Sequence, residues 1–292
     1  MEVSRVLDAA SRIVVVSPHF DDAVLSLGGL IATRAGRGQT VEVLTVFSAA
    51  GATLTGGARM RAFSDYGPRV AEDDRALALL GARPTRLGLS ERLFRDPPPR
   101  GPLPLFHTSP EMARGAYPEK VRQAITRLRE SPGTIVLAPL GIGHHVDHVI
   151  VALGALRAAA EGPGVLFYED YNALSERNRR RHPVTRLRPF PYRAAPAWGS
   201  PRAGFELEAT SLLARGPDPI ALAGLTVRRE QWQLSPAPVD AAAESAKLRA
   251  IAEYRTQTKA LGGESALREL LRRAHAVRGG ESVWQFRPGG GR

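Results

Sequence analysis

One stretch near the amino terminus limits the possible folds more than any other. Ile13-Val14-Val15-Val16 is an unbroken β-branched run, followed at once by the turn Ser17-Pro18-His19-Phe20-Asp21-Asp22. A helical pattern then opens, with Val24, Leu25, Leu27, Leu30 and Ile31 at helix spacing, and Gly36 and Gly38 close it. A strand that is apolar at every position has no solvent face, so it belongs between two neighbours in a sheet covered on both sides.

The unit recurs. Strands are expected at 41–47, 85–89, 134–138, 165–169 and 282–286, and helices at 72–80, 117–129, 145–160 and 240–261. This alternation predicts an α/β fold: a Rossmann-like, mostly parallel sheet with helices on both faces. In such sheets the ligand crevice lies at the carboxyl ends of the strands. The expected organisation is a single α/β catalytic domain over 1–292. Residues 1–171 form its core, 172–240 an insertion or lid, and 241–292 a closing helix and strand. The alternation fails across 172–240, which holds many prolines, an arginine-dense stretch at 177–188, and Tyr192, Trp198 and Trp232. Those aromatics are read as anchors of the segment to the core. His107 and His182, both placed in loops, receive no role. Gly28-Gly29, inside a helix pattern, is read as a site of close packing, and Gly81 as a helix C-cap.

Composition narrows the function classes. The 292 residues are 43% hydrophobic and 24% charged, which excludes wholesale disorder. No apolar run approaches the ~18–20 residues of a membrane span, and the first residues lack a signal-peptide core, so a cytoplasmic protein is expected. Cysteine is absent; disulfides, thiolate nucleophiles and cysteine-type zinc sites are excluded together. The net charge of +11 comes almost wholly from arginine, with only Lys120, Lys247 and Lys259 as lysines. Arginine is spread along the chain rather than gathered on one element. It is read as a solvated surface, with no nucleic-acid partner.

Two turns carry the chemistry. His19-Phe20-Asp21-Asp22 puts an imidazole and two adjacent carboxylates directly after a buried strand. Such carboxylates repel unless they share a cation or face water. A metal gives them distinct tasks: His19 and Asp22 ligate, while Asp21 stays free as a base. A helix cap with a surface histidine is the plainer alternative. The second turn, Gly143-His144-His145-Val146-Asp147-His148, holds three of the seven histidines. His145 and His148 share a helix face; one can ligate while the other acts on substrate, and Asp147 can fix the tautomer of a neighbouring imidazole. Two imidazoles and a carboxylate, with a position open for water, describe a catalytic zinc site better than a magnesium site. The reaction expected of it is amide hydrolysis.

With both motifs in order, the sequence resembles the PIG-L/LmbE-like zinc-dependent N-deacetylases, whose motifs usually read His-Pro-Asp-Asp and His-Pro-Asp-His. Further likeness runs from Arg69-x-x-Glu72 to Leu80-Gly81, and more weakly through Lys247, Tyr254 and Gln257. Phe20, Val146 and Ala23 depart from the family pattern, none of them at a ligand position. The resemblance implies one Zn2+ per chain held by His19, Asp22 and His148, with Asp21 as general base. It makes His145 the general acid or oxyanion partner, and Asp147 its orienting group. Arg69 matches an arginine that contacts sugar hydroxyls in similar mycothiol-pathway deacetylases. The implied substrate is a small N-acetylated amino sugar in a glycoconjugate or natural-product intermediate, with no membrane span and a homo-oligomer left open. An amidase for a larger acyl group is the alternative. A metal phosphoesterase is less favoured, because two-metal sites need more carboxylates than these turns offer.

Overall fold

The computed structural model describes residues 3–49, 65–170, 176–188, 209–258 and 264–287. Tyr192, Trp198 and the tail at 288–292 lie outside them. The elements begin with helix α1 (Val3–Ala9), strand β1 (Arg12–Ser17), α2 (Asp22–Gly36), β2 (Thr40–Thr45), α3 (Tyr66–Leu79) and β3 (Arg83–Arg86). Next come α4 (Pro110–Arg114), α5 (Ala116–Glu130), β4 (Thr134–Pro139), α6 (Val146–Glu161) and β5 (Val165–Tyr168). The remainder is α7 (Glu176–Arg181), α8 (Pro219–Leu222), β6 (Trp232–Ala237), α9 (Ala241–Glu253), α10 (Arg255–Thr258), α11 (Glu264–Arg278) and β7 (Glu281–Phe286).

The seven strands form one sheet in the order β3-β2-β1-β4-β5-β7-β6. β1 to β5 are parallel, β7 runs antiparallel to β5, and β6 antiparallel to β7. The expected α/β sheet is therefore what forms. Along β1, Ile13 and Val15 enter one apolar layer with α2, α3, α9 and α11, while Val14 and Val16 enter the opposite layer with α5 and α6. That is why the run carries no polar residue.

The chain leaves β1 toward β2 on one side and later returns to β4 on the other. The point of reversal opens a crevice beyond the carboxyl ends of β1 and β4, where open α/β sheets bind their ligands. Both motif turns lie there.

Three expectations need correction. Residues 232–237, placed in the 172–240 insertion, form the edge strand β6, and its Trp232 is buried against Phe167 and Phe286. The helix expected over 240–261 stops at Glu253 and restarts as the short α10. The arginine-dense stretch is not wholly solvated: Arg179 is buried and its guanidinium binds Glu169 through Nε and Nη2 at 3.1 and 3.2 Å. Glu169 also takes the indole N–H of Trp284 at 3.0 Å, so the pair ties α7 to the sheet.

Gly28-Gly29 packs as expected. A Cβ on Gly28 would come within 2.7 Å of the Lys247 side chain, and one on Gly29 within 2.7 Å of Val239. Beside them the Glu281 carboxylate accepts the N–H groups of Gly29 and Leu30 at 2.9 and 2.7 Å. A side chain inserted into the helical ladder kinks it, and Leu27 there leaves helical geometry (φ −128°, ψ 16°).

Candidate active site

β1 ends at Ser17, whose hydroxyl donates to the His19 carbonyl at 2.5 Å and accepts the Ala23 N–H at 3.0 Å. This folds the first motif into a tight turn feeding α2. Asp21 occupies the N-cap position without a side-chain cap bond, so its carboxylate is not spent on the helix.

The centre of the site is one oxygen. Asp22 Oδ2 lies 3.0 Å from His19 Nδ1 and 3.2 Å from His148 Nε2, and it also accepts the His19 N–H at 2.9 Å. The opposite nitrogen of each imidazole faces a buried carboxylate. His148 Nδ1 donates to Asp170 Oδ1 at 2.6 Å, and His19 Nε2 to Asp147 Oδ2 at 3.3 Å. An imidazole with a carboxylate behind it and a second donor before it has the build of a metal ligand with its outer partner.

Asp170 was not read from the sequence. It follows β5, another parallel strand whose carboxyl end lies at this edge, and accepts the N–H groups of Gly141 and Ile142 at 2.9 and 3.1 Å. The rule that made the turns after β1 and β4 worth inspecting applies equally to β5.

One donor atom from each of His19, Asp22 and His148 falls within 4.8 Å of the others. A second trio, His19, His145 and Asp147, meets the same spacing. Asp147 is already engaged: the Arg92 N–H reaches both its oxygens at 3.1 and 2.9 Å, and the Arg95 guanidinium donates to Oδ1. A cation beside Arg95 would be repelled, so the first trio is the better fit for a divalent ion.

The electrostatics agree with the geometry. Burial opposes charge on all three side chains, but their mutual attraction outweighs it. Asp22 is held well below the usual carboxylate range by both imidazoles, and His19 is raised well above its ordinary value by Asp147 and Asp22. His148 is lifted to about 10 by Asp22 and Asp170 against the same burial. A site in which Asp22, Asp147 and Asp170 favour positive charge on two imidazoles has the negative charge to favour a dication in their place.

Asp21 differs from Asp22 in every respect that matters. Burial, then the negative charge of Asp22, pushes its carboxyl up to about 7. With its amide turned so that donors meet acceptors, Gln257 donates to Asp21 Oδ2 at 2.5 Å and accepts from Arg69 Nε and Nη2 at 3.2 Å. Arg69 itself is 3% exposed, paired to Glu91 at 2.8 Å and 4.9 Å from the Tyr66 ring centre. It stands behind Asp21 with little surface left for a sugar. Tyr254 completes this layer, its hydroxyl 2.9 Å from both the Phe20 carbonyl and Asp73 Oδ1.

His145 packs edge-on to the rings of His19, His148 and Phe106, at centroid distances of 5.3, 5.5 and 5.5 Å. Its Nδ1 has no partner among the described residues, and burial drives its pKa down to about 3. The imidazole is therefore neutral near pH 7. The expectation that Asp147 orients His145 is not what the geometry shows; Asp147 serves His19.

The described part of 172–240 reaches this edge of the sheet. Ser211 donates to the Gly143 carbonyl at 2.9 Å, and the His107 ring lies 3.0 Å from the Ala214 carbonyl. A Cβ on Gly216 would come within 2.9 Å of His144. His182 is also internal, its Nε2 3.1 Å from the Leu140 carbonyl. His144 holds a left-handed φ of 62°, an uncommon conformation for a residue other than glycine, directly before His145.

Comparison with known proteins agrees on the family. The sequence profile described as "PIG-L: GlcNAc-PI de-N-acetylase" matches residues 14–159, half of the chain. The chain belongs to the PIG-L family. Among curated relatives, it is 36% identical over 176 residues to a 2'-N-acetylparomamine deacetylase of Streptomyces fradiae. That match covers 57% of this chain and 59% of the relative, so the chain spans under two thirds of that protein's length. A protein of the same description from Niallia circulans is 26% identical over 187 residues, covering 56% and 68%. The crystal structure of a deacetylase of teicoplanin biosynthesis shares the fold, with a TM-score of 0.64 at 23% identity over 94% of this chain and 96% of that one. Among the described residues of this PIG-L chain, no helix is long and apolar enough to cross a membrane.

Proposed function

We propose that this PIG-L protein is a metal-dependent hydrolase that removes the N-acetyl group from an amino sugar in a small natural-product intermediate, with one Zn2+ held by His19, Asp22 and His148. The observation that carries the proposal is the convergence of both imidazoles on Asp22 Oδ2, with Asp21 beside them and outside the ligand set. Relatives described as 2'-N-acetylparomamine deacetylases point to an aminoglycoside-like substrate.

When bound, zinc supplies Lewis-acid polarisation of the acetyl carbonyl and acidifies the attacking water. The side chains supply the rest. Asp21, poised near 7, takes a proton from that water as its oxygen attacks the amide carbon. Gln257 fixes the Asp21 carboxylate, and Arg69 fixes Gln257. His145 is neutral and has an unengaged nitrogen, so it stabilises the oxyanion by donating an N–H, and the proton that Asp21 took from the water passes to the departing amine nitrogen. The C–N bond breaks, leaving acetate and the free amino sugar.

The test is to strip the protein with a chelator, reload it with zinc, and follow acetate release from 2'-N-acetylparomamine. Activity is expected only in the reloaded protein. Asp21→Asn should keep its zinc while kcat falls by ~10²–10⁴-fold, the usual value of general acid–base help. Equal rates with and without metal would refute the metal reading. Release of longer acyl groups but not acetate would turn the protein into an acyl amidase.

A further inference from the structure

We infer that Arg95 is a positioning residue of the metal site, setting the orientation of His19 through Asp147; the inference rests on the reading of His19, Asp22 and His148 as metal ligands. Arg95 follows the short 3-10 turn Arg92–Phe94. Its side chain is fixed at every point. Nε donates to the Ser90 carbonyl at 2.8 Å and Nη2 donates to Asp147 Oδ1. The flat guanidinium lies on two rings, with its carbon 4.2 Å from the Tyr117 centre and 4.8 Å from the Phe47 centre. Those rings stack on each other at 6.2 Å and 27°, and Phe47 lies 6.0 Å from the His19 ring.

A surface counter-ion needs one contact; this arginine makes four. The reason lies in Asp147. The Arg92 N–H reaches both carboxylate oxygens at nearly equal distance, 3.1 and 2.9 Å, so it does not select a rotation of the group. Arg95 does. By occupying Oδ1 it leaves Oδ2 for His19 Nε2 at 3.3 Å, which in turn aims Nδ1 at Asp22. Only a planar fork can serve Ser90 and Asp147 at once while lying against two rings, and lysine cannot.

The test measures zinc affinity by competition with a chromophoric chelator, and the melting temperature of the metal-free protein, for wild type, Arg95→Lys, Arg95→Ala, Asp147→Asn and the Arg95→Ala/Asp147→Asn double variant. Loss of an outer partner typically weakens metal binding ~10–100-fold. Both Arg95 variants are expected to show such a loss, and the double variant should bind zinc no more weakly than Asp147→Asn alone, because the two residues act in series. A purely structural arginine would lower the metal-free melting temperature and leave the zinc constant of the folded fraction unchanged. That result, or losses that add in full, would overturn the inference. A wild-type protein that binds no zinc would instead overturn the ligand reading, and this inference with it; a binding wild type with unaltered Arg95 variants overturns the inference alone.

Discussion

His19 and His148 meet the same Asp22 oxygen, yet they are held from behind in different ways. Asp170, behind His148, is fixed by two backbone N–H groups of the loop that follows β4. Its bond to the imidazole is short, 2.6 Å. Asp147, behind His19, is fixed by one backbone N–H and a guanidinium from a distant loop, and its bond is 3.3 Å. One half of the proposed ligand set is therefore built into the sheet edge, while the other depends on a side chain brought in from the segment after β3. The fold makes one imidazole rigid and leaves the other open to adjustment.

The largest effect comes from removing what joins the halves. Asp22→Ala takes away the shared oxygen and leaves the two imidazoles facing each other. Bound zinc, measured by elemental analysis after dialysis, should fall to background and activity with it, a loss beyond the ~10–100-fold that outer partners cost. Retention of stoichiometric zinc would show that the ligand set lies elsewhere.

The next experiment sharpens the contrast. Asp170→Asn and Asp147→Asn should both weaken zinc binding within that range, with Asp170→Asn the more damaging because its bond to the imidazole is the shorter. The reverse order in a chelator competition would place the rigid half on the His19 side.

The smallest effect concerns a carboxylate outside both pairs. Asp73 has no imidazole beside it, only the Tyr254 hydroxyl at 2.9 Å and Arg86 at 3.4 Å. Burial pushes its carboxyl up from an ordinary value of 3.8 to about 7. The folded chain thus holds a proton there that the unfolded chain gives up. Between about pH 4 and 7 that proton stabilises the fold less and less as pH rises. Asp73→Asn should remove this share of the slope, seen as a flatter melting-temperature profile between pH 5 and 8. Parallel profiles for variant and wild type would show that Asp73 does not carry it.

What the sequence revealed follows from which signals are local. β1 and β4 were legible because their apolar runs are continuous, and the motif turns because histidine and aspartate crowd directly after them. Asp170 gave no such cluster; its role exists only because β5 lies beside β4 and the loop from Gly141 reaches across. β6 was hidden by Pro236, which lowers the strand signal and is tolerated because β6 is an edge strand. Arg179 read as one of a solvated run, since nothing in its neighbours announces Glu169 as its partner. Arg69 was expected to face a sugar from motif likeness alone, whereas Glu91 and Gln257, distant in sequence, claim its guanidinium.

Glu281 gives the site an order of assembly. Its carboxylate, on the first residue of β7, takes two N–H groups in the middle of the helix that begins with Asp22 and accepts Lys247 Nζ at 2.7 Å. As the chain emerges from the ribosome, His19, Asp22 and His148 are all exposed to the cell's metal pool long before Glu281 has been added. Until β7 docks, α2 lacks the carboxylate that takes its Gly29 and Leu30 N–H groups beside the kink at Leu27. The helix that carries Asp22 therefore completes its own contacts only when one of the last segments of the chain arrives.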